Sequence, residues 1–228
     1  EISCSLVGSE MCIRDSRMTM ANMAIEAGAK CALFTPDEKT AEYCNIELND
    51  YQKSLVGDLD ATYMRTITYK AEDFVPVMAL PSQVDKIRNV SEVEGTEIDQ
   101  VFIGSCTNGR LEDLIAAAEI LKGRKVAKNV RVIVIPATQK IYLEAMEMGI
   151  LKIFIESGAV VSTPTCGPCL GGYMGILAKG ERAVATTNRN FVGRMGHTES
   201  EVYLASPAVA AASAVTGYLT DPCRLMEE

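Results

Sequence analysis

The 228-residue sequence contains a single histidine, His197, and this scarcity limits the metal chemistry that the chain can supply. Structural zinc sites take four ligands, mainly from cysteine and histidine, so a zinc site with two or more histidines from this chain is excluded. No apolar run approaches the roughly 20 residues of a membrane-spanning helix, and no segment has the basic start, apolar core and cleavage site of a secretory signal. We therefore expect a cytoplasmic protein with reduced cysteines and no membrane partner.

Basic residues are also in the minority. Lysine and arginine total 22 against 30 aspartates and glutamates, which gives a formal net charge of −8. Since nucleic-acid binding depends on clusters of Lys and Arg facing phosphates, this balance argues against a nucleic-acid partner. Internal repeats and low-complexity tracts are absent, and 48% of the residues are hydrophobic. The composition therefore predicts a globular protein of one or two domains with a substantial core.

Cysteine is well represented, with eight residues, and three of them carry the most specific signal. Cys106 lies in GSCTNGR, and Cys166 and Cys169 lie in TCGPC. A [4Fe–4S] cluster usually takes four cysteines, so three would leave one iron open to act as a Lewis acid on a substrate. Because the apolar run at residues 101–103 precedes Cys106 and a helical pattern follows it, we expect Cys106 on a strand-to-helix turn.

Other interpretations of these cysteines remain open. CGPC is also the thioredoxin redox motif, although two glycines, which are poor helix formers, follow it closely here. A zinc site is possible but needs a fourth ligand. Reduced cysteines are most often small buried hydrophobic residues, and we expect this of Cys31, Cys44 and Cys223.

A second motif, ATTNRNFVGRMG, follows a strand-like run at residues 182–186. Arg189 and Arg194 offer guanidinium groups that bind carboxylates through paired hydrogen bonds, and the amides of Asn188 and Asn190 suit hydroxyl and carboxylate oxygens. A solvated loop would explain any one of these residues alone. Together, close in sequence to three cysteines, they indicate a pocket for a small polycarboxylate.

The motifs GSCTNGR, TPTCGPC and TTNRNFVGR, in this order and spacing, resemble the aconitase superfamily, and within it the large subunits of isopropylmalate dehydratases. The runs MTMANMAIEAGAK, PDEKT and GHTESEVYLASPAVAAASAVTGYLTDP extend the resemblance over about residues 17 to 222. Several motifs that agree in order form a specific signal. The resemblance implies an α/β fold class, with aconitase-like three-layer α/β domains and mostly parallel sheets, truncated at the N-terminus.

The resemblance also implies a cofactor and its ligands. Cys106, Cys166 and Cys169 would bind three irons of a [4Fe–4S] cluster, and the fourth iron would bind the substrate hydroxyl, a carboxylate and water. Cys4 and Cys12 lie in a segment without resemblance to the family and are left out of this ligand set.

Five further positions match active-site residues of the family. Asn188, Arg189 and Arg194 match its substrate-binding residues. Asn22 matches a substrate-binding asparagine, and Glu26 matches a catalytic glutamate of the same active site. Because Asn22 and Glu26 are four residues apart, we expect them on one face of a helix.

The activity implied is a hydro-lyase that isomerises 2-isopropylmalate and 3-isopropylmalate in leucine biosynthesis. Homoaconitase and 2,3-dimethylmalate dehydratase are alternatives with the same hydroxy-dicarboxylate core, and a non-catalytic zinc-binding or thiol-redox protein is an alternative of another class. In the family the catalytic serine lies on a swivelling domain, here expected on a separate small subunit. Since the family's active-site histidines have no counterpart here, this fragment alone is expected to be inactive.

The resemblance and the residue pattern divide the chain into segments. Residues 1–16 are expected to be a non-native leader, 17–80 part of the second aconitase-like domain, 81–97 a linker, and 98–228 the third domain with the cysteines. The residue pattern predicts strands at 32–35, 67–69, 101–104, 130–135, 159–161 and 182–186, and helices at 110–122, 139–148 and 205–217. Strands that alternate with helices favour a largely parallel sheet.

Overall fold

The computed structural model describes residues 13–58, 60–70 and 74–226. The chain divides into two compact units, the first ending at Phe74 and the second beginning at Val75. Most of the expected leader at residues 1–16 lies outside the described residues, and its last residues already belong to the first helix. Residues 81–97, the expected linker, contain a strand and a short helix of the second unit.

The first unit is built from short helices and coil in the residues described. Its elements are α1 (Ile13–Met23), a 3₁₀ turn (Ala24–Ala27), α2 (Glu38–Cys44) and α3 (Asp50–Lys53). Arg17 donates two hydrogen bonds to the Asp37 carboxylate at 2.9 and 2.6 Å, and this contact holds the pKa of that carboxyl well below its usual range. Asp37 also caps α2 by accepting from the Thr40 backbone N–H at 3.0 Å. One carboxylate therefore joins two helices.

Two strands predicted in this unit are wrong. Residues 32–35 and 67–69 are coil in the structure, and Ile67 and Tyr69 are exposed. Strand propensity reflects packing on a half-buried sheet surface, so a short apolar run without a partner strand does not form one.

The second unit contains a seven-stranded sheet in the order β2-β1-β7-β6-β3-β4-β5. The strands are β1 (Val77–Ala79), β2 (Ile87–Asn89), β3 (Gln100–Gly104), β4 (Arg131–Ile135), β5 (Val160–Val161), β6 (Arg182–Ala185) and β7 (Glu201–Ala205). The five from β7 to β5 in this order are parallel, whereas β1 pairs antiparallel with both β2 and β7. The predicted α/β class with a mostly parallel sheet is confirmed.

Helices cover one face of this sheet. They are α4 (Val90–Val93), α5 (Leu111–Leu121), α6 (Gln139–Glu147), α7 (Ile150–Ser157), α8 (Pro207–Thr216) and α9 (Cys223–Met226). Val101 and Ile103 of β3 face this layer and pack with Leu114 of α5 and the alanines of α8 in one buried cluster. Small alanine side chains let α8 approach the sheet closely, and every residue of β3 is buried.

Coil segments, rather than long helices, cover the opposite face. Phe102 of β3 and Ile133 of β4 point to this side and pack against Leu177 and Met195, which lie in coil. Cys169 is packed against the same cluster. The residues that bear the candidate chemistry are therefore carried by the coil layer.

The predicted strands and helices from residue 101 onward are confirmed to within three residues at each end. In the second unit the structure adds β1, β2, β7, α4, α7 and α9, which the sequence pattern did not predict. Within the described ranges, no helix is both long and apolar enough to cross a membrane.

Candidate functional site

The second unit's candidate residues follow the carboxyl ends of three parallel strands. Cys106 comes after β3, Cys166 after β5, and Asn188 and Arg189 after β6. Parallel strands end at one edge of the sheet, which is where open α/β sheets bind ligands. Since only β4 separates β3 from β5, the two cysteine-bearing segments leave the sheet about 10 Å apart. The topology thus gathers residues from distant parts of the sequence.

The Cys106 loop turns very tightly. Gly104 has φ +111° and Ser105 has φ +155°, a region that favours glycine, and a methyl group on Gly104 would overlap the Ile135 carbonyl oxygen. Ser105 Oγ accepts from the backbone N–H groups of Asn108 at 2.9 Å and Thr107 at 3.3 Å. The loop is fixed from inside by its own serine, while Cys106 stays exposed. The prediction of a strand-to-helix turn is confirmed.

The other two cysteines lie at a 3₁₀ turn (Gly167–Leu170). The Cys169 N–H donates to the Cys166 carbonyl at 3.0 Å, and Gly171 ends the turn with φ +76°. Cys166 is exposed and Cys169 is half-buried. This short turn differs from the long helix that a thioredoxin motif opens.

The cysteines act on one another electrostatically. Burial raises the pKa of the Cys169 thiol, contact with Arg194 opposes that effect, and negative charge on Cys166 and Cys106 raises the pKa further. Arg194 Nη2 donates to Cys169 Sγ in a long contact of 3.9 Å. Cys169 is therefore within electrostatic reach of the other two cysteines and of the Arg194 guanidinium.

These cysteines do not surround a single point. Among the described residues, no group of three or more His, Cys, Asp or Glu side chains is arranged to hold one metal ion. Thiolates that bind a cubane sit on different irons, so they are spread more widely than the ligands of one ion.

The arginine loop is joined to the Cys106 loop through Asn188, which is buried. Asn188 Nδ2 donates to Thr107 Oγ1 at 2.7 Å, and Asn188 Oδ1 accepts from Asn108 Nδ2 at 2.9 Å. Arg189 is half-buried beside it. The amide of Asn188 is thus occupied by side chains of the cysteine loop.

Asn190 has a different place from the one that the sequence suggested. Its Nδ2 donates to the carbonyls of Leu80 at 2.6 Å, Val202 at 3.2 Å and Gln83 at 3.4 Å. The Asn190 Nδ2 group therefore ties the loop after β1 to β7.

Asn22 and Glu26 lie in the first unit, and each is half-buried. Helix α1 ends at Met23, and Glu26 belongs to the following 3₁₀ turn. The two residues therefore do not share one continuous α-helix, although their spacing had predicted that they would. Their assignment to the active site stays a prediction.

The remaining described cysteines are exposed, so the expectation that Cys31, Cys44 and Cys223 are buried is wrong. Cys4 and Cys12 lie outside the described residues.

Sequence reasoning missed three polar residues of the site, the buried Thr107 and Thr186 and the half-buried Asn108. Thr186 Oγ1 donates to the Gly104 carbonyl at 3.0 Å and accepts from the Gly104 N–H at 2.8 Å. Thr107 and Asn108 directly follow Cys106 in the motif GSCTNGR, so the sequence did contain a signal for these two. No local pattern indicates partners some 80 residues away, however, such as Asn188 for Asn108.

The chain is similar in sequence to several known proteins. The profile of the Aconitase family (aconitate hydratase) matches residues 9–94 and 83–217. A 3-isopropylmalate dehydratase large subunit of Clostridium kluyveri is 64% identical over 208 residues, which are 91% of this chain and 50% of that protein. Large subunits of the same name from Acetivibrio thermocellus and Desulfitobacterium hafniense are each 61% identical, over 92% and 91% of this chain and 50% and 49% of their own. The chain spans about half the length of the curated relatives it matches.

Proposed function

Because the chain belongs to the aconitase family, we propose that it is the part of a hydro-lyase large subunit that holds a [4Fe–4S] cluster. The complete enzyme would interconvert 2-isopropylmalate and 3-isopropylmalate, in keeping with the name that its relatives carry. We place this activity in leucine biosynthesis and in the cytoplasm.

One observation carries the proposal. Cys106 follows β3, and Cys166 and Cys169 follow β5, with only β4 between these two strands, so the three cysteines lie at one edge of the sheet. A set of three thiols leaves a cubane one protein ligand short.

The residues present fit such a group chemically. Thiolates are the ligands that iron–sulfur clusters use, and Cys106 and Cys166 are exposed where a cluster could reach them. Arg194 Nε is buried with no hydrogen-bond acceptor among the described residues, while Nη2 of the same side chain contacts Cys169. A buried cationic donor without a partner is costly, and an anionic cluster or carboxylate would satisfy it.

When bound, the cluster supplies an open iron that acts as a Lewis acid on the oxygen of the substrate hydroxyl. Arg189 and Arg194 would bind the two carboxylates through paired hydrogen bonds and hold the dicarboxylate in one orientation. Their positive charge also stabilises the negative charge that spreads into the neighbouring carboxylate as the C–H proton is removed. The arginines therefore serve both binding and catalysis.

The remaining catalytic groups are proposed from the family resemblance. A serine on the swivelling domain of a small subunit would take the proton, consistent with relatives that are named large subunits. From the same resemblance, Asn22 is proposed as a substrate-binding residue and Glu26 as a catalytic carboxylate. The chain by itself is then expected to dehydrate no hydroxy acid.

Anaerobic reconstitution of the chain with ferrous iron and sulfide tests the cluster. We expect broad absorption near ~400 nm that fades in air, with about four irons per chain. Replacing exposed Cys223 by Ser is the matched control and should leave this absorption unchanged. Tight zinc binding without the absorption would overturn the proposal in favour of a zinc protein.

The substrate is tested on the full-length protein with its small subunit. Isopropylmalate, homocitrate, citrate and 2,3-dimethylmalate share the hydroxy-dicarboxylate core, and we expect the highest kcat/KM with isopropylmalate. A preference for another of these acids would leave the cluster chemistry intact and overturn the substrate assignment.

A further inference from the structure

We infer that Asn188 is a positioning residue, which acts with Asn108 to hold the Cys106 loop in register with the arginine loop. This inference rests on the proposed function, because it assigns to the asparagine pair the task of keeping a cluster ligand in place. It also replaces direct substrate contact, the role that resemblance gives to Asn188, by an indirect one.

The hydrogen bonds at Asn188 lead into the cysteine loop. Its Nδ2 donates to Thr107 Oγ1 at 2.7 Å and its Oδ1 accepts from Asn108 Nδ2 at 2.9 Å. Thr107 and Asn108 are the two residues that directly follow Cys106. The Asn188 side chain is 5% exposed. An amide buried between these partners is placed to fix the loop rather than to reach a ligand in solvent.

Asn108 extends the connection to the end of β6. Its Nδ2 also donates to the Thr186 carbonyl at 2.5 Å, and the Thr186 hydroxyl both donates to and accepts from the backbone of Gly104. Hydrogen bonds therefore join both the last residue of β3 and the loop after it to the segment that follows β6. We call the side chains of Thr107, Asn108, Thr186 and Asn188 the inter-loop network.

Backbone strain explains why such a network is needed. Ser105 is a non-glycine residue at φ +155°, next to Gly104 at φ +111°. Residues in such conformations persist only when the surrounding structure determines them. Without the inter-loop network, the backbone before Cys106 would be free to relax, and the thiol would leave its place relative to Cys166 and Cys169.

The test compares Asn108→Ala and Asn188→Ala with Asn190→Ala in the 228-residue chain. Asn190 is the matched control, because it is an equally buried asparagine two residues from Asn188 whose amide bonds to Leu80 and Val202 instead. All three variants lose buried hydrogen bonds and should lower the melting temperature. Only the first two should affect the Cys106 loop.

Two readouts separate positioning from general stability. In the chain without cluster, hydrogen exchange of the Thr107 and Asn108 amides should become about tenfold faster in Asn108→Ala and Asn188→Ala than in Asn190→Ala. After reconstitution, the absorption near ~400 nm should decay in air about tenfold faster in the same two variants. In the double variant Asn108→Ala/Asn188→Ala the two effects on the decay rate should combine to less than their product, since both single variants already remove the one bond that the two asparagines share.

Equal exchange and equal decay in all three variants would overturn the inference and leave the proposed function standing. Faster exchange at Thr107 and Asn108 with unchanged cluster decay would show a structural link without a role toward the cluster, and would also overturn it. If the parental chain takes up no cluster at all, the proposed function itself fails.

Discussion

Arg194 Nη2 lies 3.9 Å from Cys169 Sγ, so an arginine proposed to bind substrate touches a cysteine proposed to bind the cluster. The same guanidinium keeps its buried Nε without an acceptor in the part of the chain that is described. One side chain therefore connects the two halves of the proposed site, and its substitution should differ in effect from that of Arg189.

Arg189→Lys and Arg194→Lys should each lower kcat/KM of the complete enzyme at least about tenfold, because a point charge cannot reproduce a bidentate fork. The loss from Arg189→Lys should be similar for all four hydroxy-dicarboxylates. Arg194→Lys should in addition shorten the lifetime of the cluster absorption in air. Arg182→Lys, at the opposite end of β6 in an ion pair with Glu201, is the control and should change neither. Unchanged kinetics in both site variants would remove these arginines from the site.

Replacing Cys106, Cys166 or Cys169 by Ser should abolish stable cluster uptake, because a two-thiolate site cannot hold a cubane that already lacks one protein ligand. Iron analysis and absorption after anaerobic reconstitution measure the effect. Cys44→Ser, at an exposed cysteine of the first unit, should retain parental iron content. A Cys106→Ser chain with full iron content would show that the cysteine after β3 is not a ligand.

Gly104→Ala should destabilise the second unit by more than about 3 kcal/mol, since the new methyl group meets the Ile135 carbonyl and the backbone has positive φ. Gly180→Ala separates the two causes. Gly180 has φ +78° but no atom within 4 Å of the added Cβ, so its substitution should cost only about 1 kcal/mol. Urea unfolding of the two variants measures the difference, and equal losses would mean that the contact with Ile135 is unimportant.

The ion pair of Arg131 and Glu181 predicts how the free energy of unfolding changes at acidic pH. Two hydrogen bonds of 2.8 Å from Arg131 hold the pKa of the Glu181 carboxyl below its usual value of 4.5. A lowered pKa in the folded state gives stabilisation that is complete above 4.5 and is lost as the pH falls through the folded-state pKa. Glu181→Gln should therefore reduce the free energy of unfolding at pH 7.

The reduction should be at most about 1 kcal/mol, because Arg131 is half-exposed and solvent screens the pair. Denaturant titrations at several pH values should show parental and variant stabilities converging below pH 4.5. Glu199→Gln removes the exposed pair with Lys179 and should have almost no effect at any pH. If the free energies of unfolding of Glu181→Gln and the parental chain differ by the same amount at pH 7 and below pH 4.5, the stabilisation does not come from the ionised Glu181 carboxylate.

Several of the elements that the sequence predicted have patterns that depend on the core. Strands β3 and β4 are buried on both faces and read as apolar runs, and α5 and α8 present apolar residues at helical spacing. The strand β7 was missed because the short run EVYLA follows a polar segment. The runs at 32–35 and 67–69 look similar locally, but no neighbouring strand accepts them.

For the site, resemblance and spacing indicated the cysteines and arginines, whereas the inter-loop network could not be foreseen. Asn108 and Asn188 are 80 residues apart, and only the adjacency of β3 and β6 brings their amides together. The separate tasks of Asn188 and Asn190, two residues apart in one motif, likewise depend on which segments lie next to each of them.

The helical layer lies on one face of the sheet, and this has a consequence for the stability of the fold without a cluster. The long helices and most of the apolar packing of the second unit lie on the face away from Cys169, so the fold does not depend on iron for its cohesion. Oxygen that destroys the proposed cluster should therefore leave a folded scaffold that keeps its thiols. Such a scaffold should take up iron and sulfide a second time without being unfolded and refolded.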